Sequence, residues 1–413
     1  FKQFKQFKQF KQFKQFKHYK LFKPIKLLLM TNKKISLQKL LPVFLTFVVM
    51  GFVDIIGVAT GYVKQDFNLN DFVAQFLPMM VLLWFFVLSV PVGVLQDKYG
   101  KRNMLNIGMV IQAFGLGLPF IHYSFPMMLA SFILLGIGNT VIQVSANPLL
   151  QDVSPESKLA SYLSTSQFVK AIISFSGPII ASFMALHFGN WKLVFAVYGL
   201  TSLLAALWLS MTPIVESRPD RKPASFASCF GLLKNRFVAF MALSIFLIVG
   251  TEVAINTNIA NVLITKYGLT LDKAVIGISW FFAGETISRF LGAIILNWIK
   301  PRVFLFLTTL LALLGILGVF LAPSSMVAFV SIMVIGLGAG NLFPIIFSMA
   351  LAKMPDRANE ISGLLIMAVS GGAFIPLAMG YVSKAFGPMA SLFVISGCML
   401  YLLWVSFYVR KTQ

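Results

Sequence analysis

Polar residues in this chain come in short bursts, and the stretches between them are apolar on every side rather than along one stripe. The stretches run for roughly 20 residues or more, the length a helix needs to cross about 30 Å of hydrocarbon. They predict twelve transmembrane helices. The first six cover approximately 41–63, 75–95, 104–122, 126–150, 159–187 and 191–212. The second six cover approximately 237–264, 274–298, 303–322, 325–351, 360–385 and 388–409. Between the sets lies a polar segment, Val215 to Arg236. The expected architecture is an all-α membrane protein of two six-helix bundles, residues 30–212 and 237–413, joined by a linker at 213–236. Gly177-Pro178 in the fifth span, Gly338, Gly340 and Pro344 in the tenth, and Gly371, Gly372 and Pro376 in the eleventh predict interruptions of those helices.

Composition agrees and narrows the class. Of 413 residues 58% are hydrophobic and 11% charged, against about 25% charged in soluble proteins. Two cysteines, Cys229 and Cys398, cannot form a disulfide framework, and His18, His122 and His187 have no metal-ligand spacing. No metal or other cofactor is expected. An enzyme would need a nucleophile–base pair or a metal cluster inside the bundle, and the histidines fall only near loop ends. Asp54 with Lys170 could be imagined as acid and base, a weak case. The formal charge of +21 is partly a tail property. Residues 1–29 hold nine lysines and no acid, and 1–17 repeat Phe-Lys-Gln. A three-residue period makes no fixed apolar face on a helix. The tail is read as low-complexity and disordered, upstream of a start at Met30. With no basic face on a folded domain, nucleic acid is not an expected partner.

The loops set an orientation. With the N-terminus on the cytoplasmic side and the tail ignored, inside segments hold eighteen lysines and arginines and outside segments five. The positive-inside rule then places both termini and the linker in the cytoplasm. Five charges remain within spans: Asp54, Lys170, Glu252, Glu285 and Arg289. At about 1.5 Å per residue, Asp54, Lys170, Glu252 and the amide of Gln143 fall near mid-depth. An ionisable group there costs at least about 2.5–3.5 kcal/mol to insert and faces a partner or a cavity. Glu285 and Arg289, four apart, can pair on one helix. Asp54 and Lys170 either neutralise one another across two helices or serve a polar central site. Glu252 has no obvious local partner and reads equally as a ligand or a structural group.

At the end of the second span stands Gly93-Val94-Leu95-Gln96-Asp97-Lys98-Tyr99-Gly100-Lys101-Arg102. This resembles the loop signature G-x-L-x-D-x-x-G-[RK]-[RK] of the major facilitator superfamily, whose fold is two pseudo-symmetric six-helix bundles. The resemblance implies a latch between the halves. Asp97 would face a helix N-terminus, and Lys101 and Arg102 would bind loop carboxylates. Gly136-Ile-Gly-Asn, Gln143 and Asn147-Pro148 in the fourth span, Ser164-Thr-Ser-Gln167 and Lys170 in the fifth, Ser288-Arg289-Phe-Leu-Gly in the eighth, Asn341-Leu-Phe-Pro344 in the tenth and Gly371-Gly-Ala-Phe-Ile-Pro376 in the eleventh together resemble the fucose–galactose–glucose:proton symporter branch. That likeness implies proton coupling through Asp54 and a sugar-facing role for Gln143 and Gln167. Lys170 stands where fucose permease has asparagine. It would hold Asp54 ionised, exchange for a proton and solute, or bind an anionic solute.

The expected function is proton-coupled uptake of a hexose or deoxyhexose by alternating access, in a bacterial inner membrane, by a monomer. The rival is export, or transport of an organic anion or sugar acid with Lys170 as counter-ion. Polar ligands are expected from Gln143, Asn147, Gln167, Lys170, Glu252, Asn256 and Asn341, and an aromatic platform from Trp84, Trp280 or Phe281. Glu285 and Arg289 are assigned a structural role.

Overall fold

Twelve long apolar helices dominate the computed structural model, which describes residues 37–69, 73, 76–217, 224–269, 271–274 and 276–412. The Phe-Lys-Gln tail and its expected disorder lie outside them. The helices are α1 (Leu37–Asp66), α2 (Phe76–Tyr99), α3 (Lys101–Ile121), α4 (Phe125–Val153), α5 (Glu156–Phe188) and α6 (Leu193–Met211) in the first half. They continue as α7 (Arg236–Tyr267), α8 (Ile276–Ile295), α9 (Pro301–Leu321), α10 (Ser325–Lys353), α11 (Pro355–Phe386) and α12 (Pro388–Val409) in the second. A helix satisfies its own backbone, which is why such apolar stretches adopt it. Between the halves runs the linker, with a short helix at Phe226–Gly231 started by a reciprocal Ser225–Ser228 capping box.

The halves repeat one another at an offset of 200 residues. Leu135-Gly136-Ile137-Gly138 in α4 matches Ile335-Gly336-Leu337-Gly338 in α10. Gly136 lies against the backbone of Val81 in α2, and Gly336 against that of Phe281 in α8. Gly138 meets Gly108 and Gln112 in α3, and Gly338 meets Thr308 and Ala312 in α9. The spacing of the glycines sets these crossings, because backbone approaches backbone where no Cβ intervenes. A Cβ at position 338 would fall 2.6 Å from the Thr308 carbonyl oxygen. Gly338→Val is therefore expected to cost about 1–3 kcal/mol or more through overpacking and to lower the unfolding midpoint in detergent. Gly117→Ala, with nothing within 4 Å of the new methyl, should leave that midpoint unchanged.

Helix continuity departs from the glycine and proline signals in two places. α5 is unbroken α-helix from Leu159 to Phe188, straight through Gly177-Pro178. One missing N–H does not end a helix held by bonds on both sides. Conversely, α1 carries a turn of 3-10 helix at Phe52–Ile55 that no proline marks. Its cause is tertiary. Gln112 Nε2 donates to the Val49 carbonyl (3.0 Å) and Asn139 Nδ2 to the Met50 carbonyl (2.9 Å). Amides from α3 and α4 thus take carbonyls that the tightened turn releases. Phe52 stacks on Tyr198 of α6 at 3.9 Å between ring centroids and fixes the turn. α10 breaks at Gly340-Asn341 and α11 at Ala368–Ser370, as the sequence predicts.

The bundles touch most closely toward the end that carries the linker. There α2 packs on α11 and α5 on α8 and α10. Gly93 and Gly363 bring α2 and α11 together, a Cβ at 93 falling 2.9 Å from the Asn359 carbonyl oxygen. Ser161 and Ser164 of α5 donate to the carbonyls of Ala293 (2.5 Å) and Arg289 (2.9 Å) in α8, and Ser362 of α11 donates to that of Val144 in α4 (2.5 Å). At the opposite face each half is fastened to itself. Asp66 accepts from Tyr123 (2.5 Å) and Trp191 (2.9 Å). Two hundred residues on, Lys266 donates to the carbonyls of Val319 and Phe320, and Tyr267 to that of Ala322 (each 2.8 Å). Burial, then the Asp66 carboxylate, pushes the Tyr123 hydroxyl above its ordinary range, so it stays a donor throughout the neutral range.

Candidate functional site

The seam between the halves closes at Ser161 and Ser164 and then opens. Lys170 lies six residues beyond Ser164, about 9 Å farther along α5. From there to the opposite face one side of α5 is uncovered: Phe175, Ile179 and Leu186 are exposed. Only 12% of its apolar window is enclosed by the fold, against 56% in α1 and α4. Gly57 and Gly61 of α1, Asn256 of α7, and Phe374, Leu377 and Tyr381 of α11 are likewise bare. The bundles therefore form a cleft, shut at the linker end and parted at the other.

An ion pair sits at the foot of that cleft. Lys170 Nζ lies 3.7 Å from Asp54 Oδ2, with side-chain exposures of 20% and 39%. The Ser174 hydroxyl donates to the same carboxylate oxygen, within reach also of the Lys170 carbonyl. Two features position the acid. Gly51 lets α1 approach the backbone of α5, a Cβ there falling 3.0 Å from the Lys170 carbonyl oxygen. The 3-10 turn then directs Asp54 toward Lys170. The two charges that the sequence left open as partners are partners. At 3.7 Å the contact is wider than a good charge-assisted hydrogen bond of about 2.7–2.9 Å, and both side chains remain partly exposed.

Behind the pair runs an amide ladder on α4. Gln143 Nε2 donates to Asn139 Oδ1 (2.8 Å) and Asn147 Nδ2 to the Gln143 carbonyl (3.2 Å). Gln143 is 8% exposed and Asn147 1%. Asn147 Oδ1 has no partner. Gln167, one turn before Lys170, is buried at 6%. Asn256 is exposed one turn beyond Glu252 on α7. Trp280 is stacked on Phe329 of its own half, ring centroids 6.2 Å apart. Trp84 packs on Gly136, its Nε1 buried without a partner.

Two expected ligands lie elsewhere. Asn341 is fully buried. Its Nδ2 donates to the Ser288 carbonyl and hydroxyl, and its Oδ1 accepts from Ser164 at 2.5 Å. It fastens the break in α10 to α8 and, across the seam, to α5. Phe281 is fully buried too, in the contact between α8 and α10 that Gly336 permits, so it offers no face to a solute. Glu285 and Arg289 form the expected pair, at 4% and 14% exposure. Arg289 Nε also donates to the Gly340 carbonyl (3.3 Å).

The signature at the end of α2 closes the linker end. Asp97 accepts from Asn359 Nδ2 of α11 (2.5 Å) and from the Ala224 amide of the linker (2.8 Å). Lys101 Nζ pairs with Asp152 at 2.6 Å, both about 4% exposed. Arg102 donates to the Thr212 carbonyl (2.7 Å). Glu216, which the sequence reading passed over, takes the free amides of Lys101 (2.6 Å) and Arg102 (3.1 Å) at the start of α3, a favourable place for an anion. On the other seam Asn297, the repeat of Asp97, donates from Nδ2 to Ser161 (3.2 Å) and carries no charge. Hydrogen bonds to a charged group contribute about 1.5–3 kcal/mol each. Asp97→Ala should then loosen the seam, seen as at least tenfold faster alkylation of a cysteine placed at Ser362. An unchanged rate would remove Asp97 from the latch.

Two bundles closed over a polar centre at one end and parted at the other define a membrane carrier rather than an enzyme. The sequence profile of the Major Facilitator Superfamily matches residues 43–376, and the chain belongs to that family. It is similar to the "Glucose/galactose transporter" of Brucella abortus, 25% identical over 359 residues, covering 83% of this chain and 87% of that protein. It is 21% identical to the L-fucose-proton symporter of Escherichia coli over 363 residues, 78% and 82% of the two chains. A crystal structure of the fucose transporter in the outward conformation shares the fold, with a TM-score of 0.76 at 19% identity over 88% of this chain and 98% of that one.

Proposed function

We propose that this chain takes up a neutral hexose or deoxyhexose together with a proton, by alternating exposure of one site. The observation that carries the reading is the Asp54–Lys170 pair, held at the level where the bundles part. A solute entering the open end meets that pair, with Gln143, Gln167 and Asn256 nearby as hydrogen-bond groups. Binding drives closure only if solute and proton favour the closed arrangement over the open one. In this reading the bodies that move are 30–212 and 237–413, joined by 213–236. In the same reading the linker end faces the cytoplasm of a bacterial inner membrane, an orientation that the loop charges favour, and the unit is a monomer. The names of the relatives support the solute class.

The test is uptake of labelled glucose, galactose, fucose and glucuronate into proteoliposomes under an inward proton gradient. A neutral sugar should accumulate above its equilibrium level and leak back when a protonophore is added. Accumulation of glucuronate alone would transfer Lys170 to the role of anion ligand and contradict the reading.

A further inference from the structure

One ionisable group of the central level has no part in the site so far. Glu252 of α7 is partly buried, and its Oε1 is sealed from solvent without a hydrogen-bond partner. Glu285 and Arg289 on α8 and Lys170 on α5 act on its carboxyl through their charges. From α12 the Cys398 thiol meets the adjacent Thr251. α11 brings Gly371, Gly372 and Ile375, none of them titratable, to this stretch of α7.

Charge balance at this level is incomplete. Asp54, Glu252 and Glu285 are three acids, and Lys170 and Arg289 are two bases. Lys170 is paired with Asp54, and Arg289 with Glu285. The acid left over is Glu252. An ionised carboxylate shut away without a partner is costly, so the acid left over is the one that holds a proton. Glu252 also lies, like Asp54, shortly after a glycine at which its helix is pressed against a neighbour. Gly51 presses α1 against α5 three residues before Asp54. Gly250 presses α7 against the Gly371 carbonyl oxygen of α11, at 2.9 Å for an added Cβ, two residues before Glu252.

We propose that Glu252, not Asp54, carries the transported proton in this state, and that Lys170 is a cation for which two carboxylates, one in each half, compete. Release of the proton to water leaves a Glu252 carboxylate in the field of Lys170. That attraction joins α5 to α7 across the cleft and links the proton to closure. The inference rests on the proton-symport reading.

The experiment uses the full chain in proteoliposomes and a neutral sugar that the wild type accumulates. It measures proton-driven accumulation, sugar-induced proton uptake and equilibrium exchange. Absence of proton uptake by the wild type would end the symport reading itself, before any variant is compared. Given wild-type coupling, Glu252→Gln should exchange sugar at a tenth or more of the normal rate while its accumulation ratio falls to about one and its proton uptake vanishes. Proton-driven accumulation kept in that variant overturns the proposal, as does loss of exchange in folded protein, which would put Glu252 on the sugar. Glu252→Asp keeps the carboxyl and covers a misfolded Glu252→Gln. It should retain sugar-induced proton uptake, and loss of that uptake in folded protein overturns the proposal.

Discussion

Asp54→Asn is expected to exchange sugar across the membrane but to hold its accumulation ratio near one. The substitution keeps the shape of the side chain and removes the charge that Lys170 faces at 3.7 Å. The ammonium, no longer paired, is left to act on Glu252 in the opposite half. With that pull unopposed, proton and solute no longer move together and the carrier runs uncoupled, equilibrating its solute without concentrating it. The result separates two accounts when Lys170→Met is added. If Asp54 serves as counter-ion, removing both charges together restores part of the accumulation. If Asp54 is itself the proton site, the double variant stays uncoupled. Proton-driven accumulation at the wild-type level in Asp54→Asn alone would remove the pair from the mechanism.

Arg289→Met should be among the most destabilising single changes in the protein. It leaves Glu285, 4% exposed, without its cation and withdraws a donor from the Gly340 carbonyl at the α10 break. Breaking a buried pair from one side costs about 3–5 kcal/mol, a large share of the roughly 5–15 kcal/mol that holds a typical domain together. The expected readout is a fall in the unfolding midpoint and in the yield of monodisperse protein in detergent. Glu285→Leu/Arg289→Met, which removes both charges, should recover most of the loss, because a well-packed apolar pair is nearly equivalent to a buried ion pair. Equal damage from single and double variants would show that packing, not the unpaired carboxylate, sets the cost.

What the sequence disclosed, it disclosed through length and charge. Twelve apolar runs need no tertiary information, because each must span about 30 Å. Glu285 and Arg289 announce their pairing by a four-residue spacing on one helix. The Asp54–Lys170 contact was legible as a possibility, since both groups come to one depth, but whether they met depended on the approach of α1 to α5 at Gly51. The 3-10 turn under Asp54 was not legible at all. Phe52-Val-Asp-Ile carries no glycine or proline, and its cause is Gln112 and Asn139, 63 and 89 residues from the carbonyls they capture. The partners of Asn341, read from the sequence as a ligand, were hidden for a related reason. An asparagine in an apolar helix marks a place where hydrogen bonds converge, and three-dimensional packing decides whether the partner is a solute or, as here, Ser164 and Ser288. The 200-residue repeat was open to inspection in the paired Gly-x-Gly segments of α4 and α10, and in Pro155 and Pro355.

The central claim is that the two bundles trade closure at one face for closure at the other around the Asp54–Lys170 level. Pulsed electron–electron resonance on two spin-labelled pairs tests it most directly. Ser157 and Lys300 border one recess at the linker end, on opposite halves, and Phe188 and Phe386 end α5 and α11 at the other face. On adding an accumulated sugar at acid pH, the Phe188–Phe386 distance should shorten and the Ser157–Lys300 distance lengthen. Two distances that stay fixed, or that change in the same direction, would contradict the account.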